Sequence, residues 1–126
     1  MKSNIIITEN FRRESKKLLK KYASLKGELI ELEETLLENP KTGVLIKENI
    51  YKVRLAVKSK GKGKSGGLRV INYVIKVDIN DEEEITIFLM SIYDKSIQEN
   101  ISDNRLKSLV NEVTDEFLDG SNQEEE

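Results

Sequence analysis

Tyr51-Lys52-Val53-Arg54-Leu55-Ala56-Val57 decides the fold. Tyr51, Val53, Leu55 and Val57 fall on one side of a two-residue period, and Lys52, Arg54, Ala56 and Lys58 on the other. That is a strand burying one face and offering cations on the other. Two more strands follow. Arg69-Val70-Ile71-Asn72-Tyr73-Val74-Ile75-Lys76-Val77 is apolar on both faces, which marks a central strand, and Ile85 to Tyr93 is again nearly all apolar. Asp78-Ile79-Asn80-Asp81-Glu82 between them is an acidic turn.

Before Gly43 the period is helical. Ile5-Ile6-Ile7-Thr8 forms a short β-branched strand, and Thr8 then caps a helix running to about Tyr22. Its inward positions are Phe11, Leu18, Leu19 and Tyr22, with Ser15 filling the gap. Ser24 caps a second helix with the stripe Leu25, Leu29, Leu32 and Leu36, stopped by Asn39-Pro40. About two residues join the helices, so an antiparallel helical hairpin is expected. Ser102 caps a last helix carrying Leu106, Leu109, Val110, Val113 and Phe117. The expected fold is α+β: an N-terminal helical hairpin packed on a small, mainly antiparallel twisted sheet, with a C-terminal helix. One domain over residues 1–118 is followed by an acidic tail, 119–126, too polar to pack.

Composition removes whole classes of chemistry. With no cysteine and no histidine there is no disulfide framework, thiolate nucleophile, zinc-thiolate site or histidine-based triad. The apolar run at the N-terminus is too short for a signal peptide, and no stretch approaches a membrane span, so a cytoplasmic protein is expected.

The net charge of -2 hides strong segregation. Between Asn49 and Val77 there is no acidic residue, whereas Lys52, Arg54, Lys58, Lys60, Lys62, Lys64, Arg69 and Lys76 are all basic. From Asp78 onward, fifteen acidic residues face only Lys95, Arg105 and Lys107. A local field of this kind suits an anionic ligand, although a solvated loop also accounts for scattered lysines. Gly63-Lys64-Ser65 is not a nucleotide-binding loop, because Lys58 stands where the pattern needs glycine and a strand follows where it needs a helix. Lys52 and Arg54 emerge from one strand face about 7 Å apart. Arg69 opens the neighbouring strand and Lys95 follows the next, so the four can converge on one phosphate. Neighbouring positive charge lowers a lysine pKa in general, which can turn a lysine among arginines into a proton acceptor. The carboxylate pairs Glu33-Glu34 and Glu82-Glu83-Glu84 read as solvated surface.

Three segments together resemble RelE/HigB-type toxins of toxin–antitoxin modules, in the RelE/ParE superfamily. They are Tyr51 to Val57, Lys60-Gly61-Lys62-Gly63-Lys64-Ser65-Gly66-Gly67-Leu68-Arg69-Val70-Ile71, and Leu89-Met90-Ser91-Ile92-Tyr93-Asp94-Lys95. The helical start, from Phe11 to Gly43, is similar too, and the resemblance covers about residues 5 to 118. It implies a ribosome-dependent mRNA endoribonuclease that inhibits translation without metal or cofactor, by attack of a 2′-hydroxyl on the adjacent phosphate. It also implies a cognate antitoxin, contact with ribosome and mRNA, and operator DNA met only through the antitoxin complex. Carried over by position, Lys52, Arg54, Arg69 and Lys95 are the catalytic cations. Lys52 is preferred as proton acceptor because arginine hardly deprotonates, and Arg69 is the phosphate grip. Lys58, Lys60, Lys62 and Lys64 would meet RNA or ribosome. RelE itself has a tyrosine in its C-terminal segment; the corresponding place here, near Ile101, has none, leaving Tyr93 and Tyr73 as substitutes. Two alternatives stay open: a ParE-like gyrase-inhibiting toxin, and a non-catalytic relative that binds only antitoxin or DNA.

Overall fold

Thr8 ends the first strand and starts the first helix in one step. Its backbone is extended, its hydroxyl accepts from the Phe11 amide, and the same hydroxyl donates to the Leu89 carbonyl at 2.9 Å. In this computed structural model, which describes residues 2–60 and 66–118 apart from the Ile79 side chain, that strand is β1 (Lys2–Ile7) and the helix α1 (Glu9–Lys21). There follow α2 (Leu25–Glu38), β2 (Val44–Lys47), β3 (Ile50–Leu55), a 3-10 turn at Lys58–Lys60, β4 (Leu68–Ile79), β5 (Glu82–Asp94) and α3 (Asp103–Val113). One wider π turn, Thr114–Leu118, extends α3. None of the described helices is long and apolar enough to cross a membrane.

The fold is α+β, with three helices and a five-stranded mixed sheet in the order β1-β5-β4-β3-β2. β4, apolar on both faces, is the central strand. The sheet departs from the sequence expectation in two ways. β2 is an added edge strand, and β1 precedes the helices to pair parallel with β5, Ile7 opposite Leu89, while the other pairings are antiparallel. The parallel pairing joins residues some eighty positions apart, which local periodicity does not register. The β4–β5 turn is tighter than the acidic run suggests. Only Asn80 and Asp81 lie outside the strands, at φ +52° and +66°, the left-handed pair that fits a two-residue hairpin. Gly43, at φ +101°, lets the chain enter β2 against β3; a Cβ there would sit 2.5 Å from the Lys52 carbonyl oxygen.

Each sheet face has its own core. On the first, α1 and α2 bring Phe11, Leu25, Leu32 and Leu36 against Val53, Val70, Val74, Ile87 and Leu89. On the second, α3 lays Leu106, Leu109 and Val113 over Ile50, Ile71, Phe88 and Met90. Ser102 caps α3 through the Arg105 amide, as its sequence suggests. Ser24 does not cap α2: its backbone is already helical, and its hydroxyl bonds Glu28 and Ser59 instead. Leu19, expected inward, is 39% exposed, while Phe11, Leu18 and Tyr22 on the neighbouring stripe of the helix pack on the core.

Candidate functional site

α3 packs over Ile50, Ile71, Phe88 and Met90 of the second face, and the end of that face beyond them carries cations. Antiparallel register places Arg54 of β3 directly opposite Arg69 of β4, and Arg69 directly opposite Tyr93 of β5. Residues paired in this way have Cβ atoms about 4.5–5.5 Å apart on the same face. The next rung toward α3 is Lys52, Ile71 and Ser91. Because Ile50 and Ile71 belong to the core under α3, the period of two puts Lys52, Arg54 and Arg69 on that face as well.

Three of the four sequence-predicted cations are therefore brought together on one face. Lys95 stands one residue beyond β5, its amide donating to the Gly67 carbonyl at 3.2 Å, so it continues the ladder one rung past Arg69. Arg54 is exposed and Lys52 half-buried, whereas Arg69 is 3% exposed. Burial, and then the charge of Arg54, pull Arg69 below the usual arginine range, with Tyr93 acting in the opposite sense. It stays a cation, since arginine does not deprotonate in proteins, and one of its Nη atoms donates to the Leu68 carbonyl at 3.2 Å. Like charges directly opposite one another weaken a sheet. Such local conflicts collect at functional sites.

Of the two tyrosines, Tyr93 belongs to this row and Tyr73 does not. Tyr73 lies four residues along β4 from Arg69, opposite Phe88, with ring centroids 6.3 Å apart. It lines a groove with Ile50, Leu106 and Val110. The Tyr93 hydroxyl is buried and has no hydrogen-bond partner among the described residues. Burial raises its pKa, partly opposed by Arg69, so it holds its proton at neutral pH.

The expected RNA-binding lysines divide. Lys58 is exposed and its amide is held by the Glu28 carboxylate at 2.8 Å. Lys60 is not a free surface charge. Its ammonium is 3.1 Å from the Asp94 carboxylate, with the two side chains 8% and 3% exposed. Lys62 and Lys64 lie outside the described residues, as does the tail 119–126.

Asp94 is a residue that sequence reasoning missed. It points to the first face and accepts from the Tyr22 hydroxyl at 2.6 Å, from the Ser96 hydroxyl and amide at 2.7 and 3.0 Å, and from Lys60. Burial alone would raise its pKa, but these donors outweigh burial and hold the carboxyl well below the usual carboxylate range. The same bond, with burial, pushes Tyr22 up to about 12. Asn10, Glu14 and Ser91 were missed too. Asn10 donates to the Met90 carbonyl at 2.9 Å, and Glu14 accepts from the Ser91 hydroxyl and the Ile92 amide at 2.7 and 3.2 Å. Ser91 is the one polar residue between Phe88 and Tyr93, and Asn10 is a polar residue on the inward side of α1; both were legible signals.

The arrangement defines an α+β protein with a row of guanidinium, guanidinium and phenol at one end of its sheet. No protein-family model matches the chain, and no solved structure matches it.

Proposed function

We propose that the protein is a metal-independent endoribonuclease of the RelE/HigB toxin type, cutting mRNA on the ribosome and restrained by a partner antitoxin. The observation that carries this reading is the row Arg54–Arg69–Tyr93, with Lys52 one rung away. Two guanidiniums and one neutral proton donor beside a lysine are the groups that phosphodiester transesterification needs. Arg54, being exposed, meets the phosphate first, and Arg69 closes on it from behind. Together they stabilise the charge that builds up as the 2′-oxygen attacks phosphorus. Lys52 takes the 2′-hydroxyl proton. Tyr93 gives its proton to the departing 5′-oxygen. Low exposure of Arg69 strengthens its pull on the phosphate, because screening water is excluded.

The bonds balance without an outside reactant. The 2′-O–P bond forms as the P–O5′ bond breaks, leaving a 2′,3′-cyclic phosphate and a free 5′-hydroxyl. Programmed ribosomes incubated with the protein should yield mRNA fragments with those ends, and Arg69→Ala should yield none while keeping the wild-type circular dichroism spectrum. Undiminished cleavage by folded Arg69→Ala, or fragments ending in a 3′-hydroxyl, would overturn the reading.

A further inference from the structure

The Arg69–Tyr93 pairing depends on a single extra residue. Below it, β4 and β5 pair with Asn72 opposite Leu89 and Tyr73 opposite Phe88; above it, Ile71 faces Ser91 and Arg69 faces Tyr93. Met90 is the residue skipped. Continuing the lower register would set Tyr93 opposite Leu68, a member of the helix-covered core, and Ile92 opposite Arg69. The bulge reverses both faces: Ile92 enters the α1–α2 core, and Tyr93 joins the other face. A bulge bends the strand and re-aims the side chains beyond it.

The bulge lies just where β1 leaves the sheet. Pairing between β1 and β5 ends at Ile7 and Leu89, which would strand the outer edge of Met90, Ser91 and Ile92. Polar side chains from the start of α1 take over. Thr8 donates to the Leu89 carbonyl, Asn10 donates to the Met90 carbonyl, and Glu14 accepts from the Ser91 hydroxyl and the Ile92 amide. Asn10 is 3% exposed and also donates to Glu14 at 2.8 Å, so the two side chains form one unit.

We infer that Asn10 and Glu14 are positioning residues for the site: they fix the Met90 bulge, and the bulge places Tyr93 across from Arg69. This rests on the proposed nuclease reading only for its catalytic consequence; the register claim stands on geometry alone. The chain has no cysteine, so an introduced pair reports register cleanly. Disulfides demand close Cβ atoms, and only directly opposed positions satisfy them. In the full chain, Arg69→Cys with Tyr93→Cys should crosslink readily, and Leu68→Cys with Tyr93→Cys should not. Deleting Met90 removes the need for a bulge, since Ser91 then follows Leu89 directly opposite Ile71, so the deleted chain should keep the 69–93 preference even with Asn10→Ala and Glu14→Ala. In the full-length chain the same double substitution should erase the preference. Glu14→Gln, which keeps an acceptor for Ser91 and Ile92, should retain it. An unchanged 69–93 preference in folded, full-length Asn10→Ala/Glu14→Ala protein overturns the inference.

A second measurement separates it from the nuclease reading. With residues 69 and 93 native, Glu14→Ala should lower kcat for mRNA cleavage about tenfold or more while leaving KM near wild type, since small misplacements of reacting groups are costly. Glu14→Gln should recover most of that loss. Crosslinking as expected in the cysteine variants, with no RNA cut by the wild-type protein, would overturn the nuclease reading and leave the register device standing. Normal kcat in Glu14→Ala would overturn the catalytic consequence.

Discussion

Tyr93 and Asp94 are adjacent in the chain and face opposite sides of the sheet. Asp94 accepts four hydrogen bonds from three side chains and an amide, one of them a buried ion pair with Lys60. The Tyr93 hydroxyl, equally hidden, has no partner among the described residues and sits across from an arginine. Both Asp94 carboxylate oxygens are satisfied from within the protein. On the Tyr93 side a donor and two cations are left facing one another. The first arrangement maintains a fold; the second is stable only because the fold around it is, and it leaves the Tyr93 hydroxyl without an acceptor among the described residues.

Breaking the satisfied side should produce the largest effect. Asp94→Ala leaves the Lys60 ammonium buried without its carboxylate and frees the Tyr22 hydroxyl, so urea unfolding should register a loss of about 3–5 kcal/mol. A loss below about 1 kcal/mol would mean that water reaches Lys60 and that the pair is not closed. The two tyrosines then sharpen the contrast. Tyr22→Phe removes a hydroxyl bonded to a charged carboxylate and should cost about 1.5–3 kcal/mol. Tyr93→Phe removes one with no partner and should fall within about 0.5 kcal/mol of wild type, while abolishing RNA cleavage if the nuclease reading holds.

The Tyr22–Asp94 bond also fixes the direction of two pH effects. Asp94 has a folded pKa below its unfolded one, so its contribution is complete above about pH 4 and is lost as pH falls further. Tyr22 is raised to about 12, so its contribution is complete below the unfolded value near 10 and disappears as pH rises through the folded value. The stability gap between wild type and Tyr22→Phe should therefore narrow from pH 9 to pH 12; a constant gap in matched denaturant titrations would contradict the bond. The smallest effect belongs to Lys47→Ala. The Lys47–Asp103 pair at 3.5 Å is exposed on both sides, and its loss should stay within about 0.5 kcal/mol and vanish in high salt.

Much of this was open to reading in the primary structure, for definite reasons. β4 is apolar on both faces because both are covered, and so it declares itself central. Thr8 and Ser102 cap as expected because each is followed by a long amphipathic run. Lys52, Arg54 and Arg69 share a face because two strands keep strict alternation. Parity fails where an apolar stretch hides it. Within Phe88-Leu89-Met90-Ser91-Ile92-Tyr93 no alternation marks the skipped residue, so neither the side taken by Tyr93 nor that taken by Asp94 could be read. Lys60 looked like another free loop charge for the same reason, since its partner's direction was hidden. β2 has four residues, two of them more than half exposed, and offered no buried stripe to notice. Ser24 misled because a hydroxyl near a helix start can bond sideways as well as downward, and here Ser59 claimed it.

The long β4–β5 hairpin carries a further consequence. Its Asn80-Asp81 tip is flanked by Asp78, Glu82, Glu83 and Glu84, and Arg69 lies eleven residues back from Asn80, on the order of 35 Å away. Opposite charges held that far apart on one rigid ribbon give the molecule a large electric dipole, although its net charge is only -2. A polyanion nearby exerts a torque on such a body, turning the arginine end inward and the acidic tip toward bulk solvent. An acidic protein can thus approach a negatively charged surface in one preferred attitude, already aligned before contact is made.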